Sequence, residues 1–463
     1  MSKVLLVDRS GRGHAYADLL VRTNPEVRVI YAPGCAAIAH PRISSLPELT
    51  LDDPRPYVEL AVKERVDFAL VGNTLALAAG FVDAFRSREI PVIGPDKAAC
   101  RLETSKIYCK LLCQKYGIPV ADFAWFADAA EARARVERLG APVVVKADGL
   151  CGGNGSFVCD SMEDAARAID LMMAQKSCGA SGDRVLIERK LEGRELSIFA
   201  LVDGRDFTLL PMALDYPKSD DGNRGVTCGG VGAVSPHPLE ADRDLRREQE
   251  QLMRSVMRCI VSEGLSYTGV IYLGCMLTEA GLVVLEINVR LGDPEAEVVL
   301  PRITSDFMRT CQAVFDGDLG RQRIAFDTQT YCDVVATQGP TPRIVDGRVA
   351  GNYPGWPYGQ FGRHYPISGL DRVGVTHCRI FIGEALQHRD LGLVSDGGRV
   401  LHVVGFGADA DEAAQQAYAN IAQITFEGIR YRTDIGTVWP WEPPKEPATV
   451  TLPSKEGGRT ARG

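Results

Sequence analysis

The chain has 463 residues, 45% of them hydrophobic and 24% charged, which is an ordinary composition for a globular protein with sizeable cores. A chain of this length is expected to form about three domains. Its net charge of −8 argues against nucleic acid or an anionic membrane surface as the main partner.

The cysteines predict a reducing compartment. All thirteen are scattered, no CxxC pair occurs, and the N-terminus carries no secretory signal. We therefore expect mostly buried thiols in a cytoplasmic protein. The seven histidines are also dispersed, which argues against a zinc site, and no apolar stretch approaches the length of a membrane span.

The first hundred residues alternate short apolar runs with helical patterns. Strands are predicted at residues 4–7, 27–31, 68–71 and 91–94, with helices at 14–21 and 57–65. This alternation predicts a parallel, doubly wound domain over residues 1–102. The turn at 8–13 contains Gly11 and Gly13 and could receive a phosphate, or it could be a plain first βα connection.

Two lysines and a glycine-rich segment follow. Lys106 falls in the first turn of a helix predicted to begin at Thr104 or Ser105, where a cation is unfavourable unless it reaches an anion. Strands at 143–145 and 157–159 predict an antiparallel hairpin around the glycine-rich loop 149–155. Such a loop can fold over phosphates, with Lys146 beneath it, although similar loops also occur as plain connections.

Further carboxylates follow the hairpin. Glu188 lies in a strand predicted at 185–191, and Glu195 lies just after it. Both are candidates for an adenine amino group and a ribose hydroxyl, with plain surface carboxylates as the alternative. A long polar, glycine-rich loop at 215–232 is also typical of a functional segment.

The stretch 283–297 holds the clearest site pattern. Glu286 and Asn288 are two apart in a predicted strand and therefore project from one face, and Arg290 comes next in that row. Oxygen ligands beside a guanidinium suit a Mg²⁺-polyphosphate site. An exposed strand edge with ordinary polar alternation is the alternative.

The last third has a different composition. Short Val- and Gly-rich strands with one helix at 411–423 predict a separate α+β unit over 329–438. The segment 439–463 is rich in Pro, Lys and Gly and is expected to be mostly disordered.

Taken together and in order, these stretches resemble the ATP-grasp ligases, and among them the phosphoribosylamine–glycine ligases. The matching stretches are IGPDKAACRLETSK, APVVVKADGLCGGNGS, VLIERKLEGRELS, GGVGAVSP, YTGVIYLGCM, VLEINVRLGDPE, SDGGRVLHVVGFG and YRTDIG. The resemblance implies an ATP-grasp domain over 103–328, with residues 120–190 as a mobile lid, between a Rossmann-like N-terminal domain and the C-terminal α+β domain.

The resemblance also implies roles for individual residues. It assigns the nucleotide to Lys106, Lys146, Gly152, Gly153, Gly155, Glu188, Arg189, Leu191 and Glu195. It assigns the metal to Glu286 and Asn288, and the catalytic roles to Lys146, Arg290 and Asp293. It assigns the small substrates to Gly11, Asp215, Lys218, Gly229, Gly230, Arg290, Gly292 and Asp293.

The implied reaction is an amide-forming ligation through an acyl-phosphate. Glycine and 5-phosphoribosylamine are joined to give glycinamide ribonucleotide, ADP and phosphate in purine biosynthesis. The implied cofactors are ATP and Mg²⁺, with Mn²⁺ able to replace Mg²⁺. The expected partners are small molecules only, in a monomer or homodimer.

Several positions depart from the family pattern. The family has Gly-Pro-Glu where this chain has Gly72-Asn73-Thr74, and a lysine where Asn154 stands. The segment from Leu214 to Lys218 also differs. These changes keep two alternatives open: the same ligation with a different amino acid or amine in a secondary pathway, and a non-catalytic nucleotide-binding relative.

Overall fold

The computed structural model describes residues 2–35, 37–152, 155–345 and 348–440. Its N-terminal region is a five-stranded parallel sheet with strand order β3-β2-β1-β4-β5. The strands are β1 (Lys3–Asp8), β2 (Arg28–Pro33), β3 (Ile43–Ser45), β4 (Phe68–Val71) and β5 (Val92–Ile93). The helices are α1 (Gly11–Thr23), α2 (Arg55–Glu64), α3 (Thr74–Ala79), α4 (Phe81–Arg86) and α5 (Arg101–Thr104).

This sheet confirms the predicted doubly wound arrangement. The chain runs outward from β1 to β2 and β3, then returns to place β4 on the other side of β1. Such a reversal opens a crevice at the carboxyl ends of the two central strands, which here end at Asp8 and Val71.

A four-stranded antiparallel sheet, β6-β9-β7-β8, forms the next unit, which we call the lid. Its elements follow α6 (Lys106–Lys115) and are β6 (Phe123–Phe126), α7 (Ala129–Leu139), β7 (Val143–Ala147), β8 (Ser156–Cys159), α8 (Met162–Ile169) and β9 (Val185–Arg189). The inner faces of α7 and α8 bury Val136 and Ile169 against the sheet. The lid therefore has a small hydrophobic core of its own.

The central sheet is antiparallel, with strand order β11-β10-β16-β17. Elements in this part of the chain are β10 (Arg194–Val202), β11 (Phe207–Leu209), β12 (Leu214–Asp215), β13 (Lys218–Asp220), β14 (Arg224–Thr227), β15 (Gly232–Ser235), α9 (Arg243–Ser262), β16 (Gly269–Thr278), β17 (Gly281–Asn288), α10 (Ala296–Val299) and α11 (Phe307–Asp316).

The β16–β17 hairpin contains a bulge. Gly274 pairs with Glu286 but Cys275 pairs with Val284, so Leu285 is the extra residue. The carbonyl oxygens of Val284 and Leu285 accept hydrogen bonds from lysines rather than completing the ladder there.

The C-terminal sheet is antiparallel and has the order β12-β15-β18-β24-β21, with β25 also paired to β18. Elements here are β18 (Thr330–Gln338), β19 (Thr341–Val345), β20 (Arg348–Tyr353), β21 (Cys378–Ile382), β22 (Ala385–His388), β23 (Gly392–Ser395), β24 (Arg399–Gly407), α12 (Ala410–Ile421) and β25 (Ile429–Arg430). Because β15 pairs with β18, this sheet crosses the predicted boundary at residue 328. The domain limits otherwise stay a prediction.

Three predicted elements need correction. Helix α1 begins at Gly11 rather than at 14, because Asp8 Oδ1 accepts the backbone N–H groups of Arg9 and Ser10 and completes the turn early. Residues 303–315 also have the pattern of a helix, but helix α11 begins at Phe307, because Asp306 accepts the N–H of Met308 and caps it there. The predicted loop 215–232 contains the β13–β14 hairpin.

The thirteen cysteines are free thiols, and eleven of them are buried, as the sequence predicts. Within the described ranges, no helix is both long and apolar enough to span a bilayer. Most of the predicted disordered tail, from residue 441 onward, lies outside the described residues.

Candidate functional site

The amino end of α6 holds the first predicted phosphate ligand. Ser105 caps the helix by accepting the N–H of Tyr108, and Asp148 Oδ1 accepts both the Ser105 hydroxyl and the N–H of Ile107. Lys106 is the first helical residue, and its Nζ donates to the carbonyl of Gly149 at 3.4 Å. Asp148 and Gly149 therefore join the glycine-rich loop directly to this helix end.

A buried ion cluster, Lys110–Glu188–Lys146, lies beside it. Glu188 is paired with Lys110 at 2.8 Å and with Lys146 at 2.7 Å, and all three side chains are less than 10% exposed. Burial works against the charge of Lys146, but the Glu188 carboxylate outweighs it and raises the lysine pKa. Burial likewise opposes ionisation of Glu188, yet the two lysines lower its pKa. The cluster keeps one excess positive charge, which suits a phosphate.

The same two lysines connect α6 and the lid to the central sheet. Lys110 donates to the carbonyl of Val284 at 3.0 Å, and Lys146 donates to that of Leu285 at 3.3 Å. The bulge in β17 thus supplies the acceptors that fix both ammonium groups.

The predicted adenine-end residues lie at the end of β9 and the start of β10. The N–H of Arg189 donates to Asp122 O at 3.0 Å, so it belongs to the lid sheet, while Leu191 is half-buried and Glu195 is exposed. The carboxylate of Glu188 already pairs with two lysines, so what it does at this end of the site is hold Lys146 in place.

The glycine-rich loop is described only in part. Gly152 has a left-handed φ of 56°, and the carbonyl of Gly155 accepts the N–H of Ala147 at 2.9 Å. Gly153, a predicted nucleotide ligand, and Asn154 lie outside the described residues.

Glu286 and Asn288 lie side by side at the end of β17, as the strand period predicts. Asn288 Nδ2 donates to Glu286 Oε1 at 3.0 Å. Desolvation favours the neutral form of Glu286, but Lys106, the Asn288 hydrogen bond, Lys146 and Arg290 together lower its pKa. An ionised carboxylate and an adjacent amide, both near Lys106 and Lys146, fit a Mg²⁺ ion that takes its other ligands from a polyphosphate.

Arg290 is fixed by the N-terminal domain. Its Nη2 pairs with Glu103 Oε1 at 2.8 Å, and its Nε donates to Thr74 Oγ1 at 3.1 Å. Nη2 also donates to Asn288 Oδ1 at 3.3 Å, which places the guanidinium beside the predicted metal ligands. Three regions of the chain therefore meet at this side chain.

A second part of the site is acidic. Asp215 has a carboxylate oxygen, Oδ1, with no hydrogen-bond partner among the described residues. Burial and the nearby carboxylates of Glu295 and Glu195 raise its pKa well above the ordinary value. Gly230, with φ at 88°, packs so closely that a Cβ there would lie 2.6 Å from Asp215 Oδ1 and 2.5 Å from Pro294. This arrangement favours a cationic group such as an ammonium.

The other predicted substrate residues surround these two parts. Gly229 accepts Arg399 Nη1 at 2.6 Å, and Gly292 packs against the Glu295 carboxylate. Lys218 lies in the electrostatic field of Glu195. The structure thus brings Lys106, Lys146, Glu286, Asn288 and Arg290 to one place, and it puts Gly229, Gly230 and Asp215 in another. The roles of these residues stay predictions.

Asp293 lies deeper than the sequence analysis suggests. Its Oδ1 is 2.9 Å from Arg399 Nη1 and the side chain is only 6% exposed. Burial raises the pKa of a carboxyl group, but Arg399, His402 and Arg12 outweigh it and hold the Asp293 pKa well below its usual range. Gly11, at the start of α1, packs on Glu297 and His402 beside Asp293, since a Cβ there would clash with both of those side chains.

Sequence reasoning missed several residues that build the site, among them Lys110, Glu103, Thr74 and Arg399. Lys110 had a detectable signal: it lies three residues after Ile107 and three before Cys113, on the buried face of α6. A lysine on an apolar helix face requires a buried anion, and Glu188 is that anion. The other three contacts join distant segments and leave no local pattern.

Comparison with known proteins adds the following. Models of three domains match the chain: phosphoribosylglycinamide synthetase N domain over residues 2–103, its ATP-grasp (A) domain over 104–296, and its C domain over 348–438. The chain is 37% identical to a phosphoribosylamine–glycine ligase from Ralstonia nicotianae, covering 94% of this chain and 98% of the relative. It is 34% identical to one from Caldanaerobacter subterraneus, covering 94% and 99%.

Solved structures agree in fold. A phosphoribosylamine–glycine ligase from Thermotoga maritima matches with a TM-score of 0.77 and 29% identity, over 93% of this chain and 99% of that one. A biotin carboxylase from Campylobacter jejuni, in a β-γ-ATP complex, matches with a TM-score of 0.65 at 14% identity over 93% of each chain, which concerns the fold alone. The ATP-grasp fold is therefore common to all of them.

Proposed function

The chain belongs to the phosphoribosylglycinamide synthetase family, and we propose that it joins glycine to 5-phosphoribosylamine in purine biosynthesis, with ATP converted to ADP and phosphate. The enzyme is an amide-forming ATP-grasp ligase. The terminal phosphoryl group of ATP passes to the glycine carboxylate, and the amine then displaces phosphate from the acyl-phosphate. The chain needs no nucleophile of its own for this, only positioning and charge.

At the ATP end, we assign the phosphates to Lys106 and Lys146. Lys146 is held in its charged form by Glu188 and fixed by the Leu285 carbonyl, so it offers a preformed cation rather than a mobile one. Lys106, at the amino end of α6, combines its ammonium group with the positive end of the helix dipole.

We assign Glu286 and Asn288 as the protein ligands of Mg²⁺. The ion, when bound with ATP, supplies charge neutralisation at the β- and γ-phosphates. The residues present fit it, because Glu286 is ionised and faces the two lysines that would hold the phosphates. Mn²⁺ has the same preference for hard oxygen ligands and should substitute.

At the reacting end, Arg290 would orient the glycine carboxylate and stabilise the charge that develops when it is phosphorylated. The acidic pair Asp215 and Glu295 would bind the ammonium group of glycine, and Gly229 and Gly230 leave room for the backbone to approach it. In this arrangement the carboxylate and the ammonium group of glycine would each face protein groups of the opposite charge.

One observation carries the proposal. The row of Glu286, Asn288 and Arg290 lies at the junction of β17, the lysines Lys106 and Lys146, and the N-terminal contacts Thr74 and Glu103. Metal ligands, phosphate ligands and a carboxylate-binding guanidinium therefore meet in one place. No comparable observation favours a different amino acid or amine, or a non-catalytic role.

The test is ADP release by the purified chain with Mg-ATP, glycine and freshly generated phosphoribosylamine. ADP release that requires both substrates, together with a product of the mass of glycinamide ribonucleotide, is expected. A panel of other amino acids in place of glycine is the control. ADP release with another amino acid but none with glycine would contradict the proposed substrate while leaving the ligase class intact.

The compartment and assembly remain proposals as well. Thirteen free thiols are consistent with a reducing cytoplasm. A monomer or a homodimer is expected.

A further inference from the structure

A buried cluster of ionisable side chains lies where three parts of the chain meet. Asp293 and Glu297 come from the turn and helix after β17, and His402 comes from β24 of the C-terminal sheet. His402 Nε2 is 3.6 Å from Asp293 Oδ1 and 3.8 Å from Glu297 Oε1. The side chains of Asp293, Glu297 and His402 are 6%, 0% and 1% exposed, respectively.

The ring of His402 is oriented by a fourth residue. Its Nδ1 is 2.7 Å from Asp333 Oδ2 on the neighbouring strand β18. This leaves Nε2 facing Asp293 and Glu297. A carboxylate on one ring nitrogen, with the other nitrogen directed at further carboxylates, is the arrangement that orients metal-binding histidines.

Glu297 provides the independent sign of a missing ligand. Within the described part of the chain, neither of its carboxylate oxygens has a hydrogen-bond partner, and the residue is fully buried. One oxygen of Asp333 is in the same condition. A buried carboxylate without a partner costs several kcal/mol, so native proteins neutralise or coordinate such groups.

The charges around the cluster point to the sign of that ligand. Arg12 pairs with Asp8 at 2.9 Å, and Arg399 pairs with Asp293 at 2.9 Å. Burial works against the charge of His402, but Asp333, Glu297 and Asp293 outweigh it and raise the pKa of His402 to about 9. A metal ion on Nε2 would displace that proton, and the two guanidinium groups would then face four carboxylates with buried side chains. The four are Asp8, Asp293, Glu297 and Asp333. One divalent cation balances the excess, and so would two protons.

We propose that Asp293, Glu297 and His402 bind one Zn²⁺-like divalent transition ion, with Asp333 as the residue that orients His402. Imidazole with two carboxylates suits zinc, whereas Mg²⁺ and Ca²⁺ prefer oxygen ligands alone. Ligand atoms about 2.0–2.2 Å from a tetrahedral zinc ion lie roughly 3.4 Å apart. The three ligand atoms here lie within 4.8 Å of one another, so a small contraction is sufficient.

The position of the site indicates a structural role. Gly11, at the start of α1, packs directly on Glu297 and His402. An ion there would join the N-terminal loop, the turn after β17 and the C-terminal sheet. It would be separate from the Mg²⁺ position proposed at Glu286 and Asn288. The dispersed cysteines and histidines of the sequence argue against a zinc site. This site leaves no such sequence pattern, because it uses one histidine and no thiol.

The test uses the full chain, stripped with a chelator and free of nucleotide. We expect Zn²⁺ titration with a competing chromophoric chelator to reveal one site per chain. Glu297→Gln and His402→Gln should each weaken it at least about 100-fold, and Asp333→Asn about 10-fold. Glu286→Ala should bind as the unchanged chain does. Loss of the site in Glu286→Ala, or unchanged affinity in Glu297→Gln, would overturn the proposal.

Two further measurements keep the result interpretable if a variant folds poorly. Thermal unfolding of the unaltered chain should shift upward when Zn²⁺ is added. The Co²⁺-loaded chain should show tetrahedral ligand-field bands without the intense thiolate-to-metal band that cysteine ligands produce. A thiolate band, or no stoichiometric binding, would assign the cluster to two protons instead of a metal ion.

Discussion

Two buried ion clusters in the described part of the chain have opposite compositions. In Lys110–Glu188–Lys146, two cations surround one carboxylate, and the cluster joins the lid to the central sheet. Around His402, three carboxylates surround one imidazole, and that cluster joins the N-terminal loop to the C-terminal sheet. Both are sealed from water, so the sign of the uncompensated charge, rather than exposure, distinguishes their ligands. The first favours a polyphosphate and the second favours a cation.

The largest expected effect tests the phosphate side of this contrast. Glu286→Ala removes the carboxylate that faces the lysines and should lower ADP release about 100-fold or more, because the proposed Mg²⁺ site loses its charged ligand. Glu279→Ala, at the exposed tip of the same hairpin, is the matched control and should be unaffected. Full turnover by Glu286→Ala would disprove the metal assignment.

Removing the single anion of the first cluster should destabilise the fold. Glu188→Gln leaves two buried lysines without a counter-charge and should lower the free energy of unfolding by about 3 kcal/mol, measured by urea denaturation at pH 7. Glu163→Gln removes an exposed i,i+4 pair with Arg167 and should cost less than about 1 kcal/mol.

The same variant should alter acid denaturation. The Glu188 pKa is lowered in the folded chain, so its contribution is complete above the ordinary value of about 4.3 and is lost as the pH falls through the folded-state value. Glu188→Gln should therefore lose less stability than the unaltered chain on acidification below about pH 4. If both proteins lost stability equally as the pH fell, the pairing of Glu188 with the two lysines would be contradicted.

A smaller effect is expected from the glycine that approaches the acidic pair. Gly230 and Gly264 both have left-handed φ, at 88° and 66°, but a Cβ would clash only at Gly230. Alanine at either position should cost about 1 kcal/mol of stability. Only Gly230→Ala should also lower kcat/KM for glycine, by about tenfold, since it displaces Asp215. Equal kinetics for the two variants would remove Asp215 from the substrate site.

The smallest expected effect concerns lid motion. Hydrogen exchange in β7 and β8 should slow a few-fold when Mg-ATP is added, because the lid should close on the phosphates. Helix α12, which packs on the C-terminal sheet, serves as the internal reference, and its exchange rate should not change. Exchange in β7 that ignores the nucleotide would mean that the bonds from Lys146 to β17 hold the lid fixed.

Local sequence pattern predicted the surroundings of the Lys110–Glu188–Lys146 cluster much better than those of the cluster around His402. The period of a strand places Glu286 beside Asn288, and a cap at Ser105 places Lys106 at a helix end, so these positions follow from a few adjacent residues. His402 and Asp333 are 69 residues apart, in strands that are otherwise mostly apolar. Their pairing depends on the register of β18 and β24, which no local periodicity encodes.

The same limit applies to helix starts and to the loop before β15. The early start of α1 depends on one Asp8 carboxylate that satisfies two N–H groups, which composition alone does not reveal. The β13–β14 hairpin is short and polar, and three residues of a distant segment, Arg430, Thr433 and Asp434, hold it in place through hydrogen bonds. Side chains that are polar in sequence can thus form ordered structure when a remote segment supplies their partners.

The pairing of β15 with β18 has a consequence for how the chain is made. Strand β15 ends at Ser235, whereas its neighbour β18 begins at Thr330, roughly 95 residues later. At ribosomal rates of about 5–20 residues per second, β15 waits on the order of 5–20 s for its neighbour to emerge. Because β12 and β15 interrupt the ATP-grasp segment, the nascent chain cannot finish that segment before the C-terminal sheet appears, and the two must mature together.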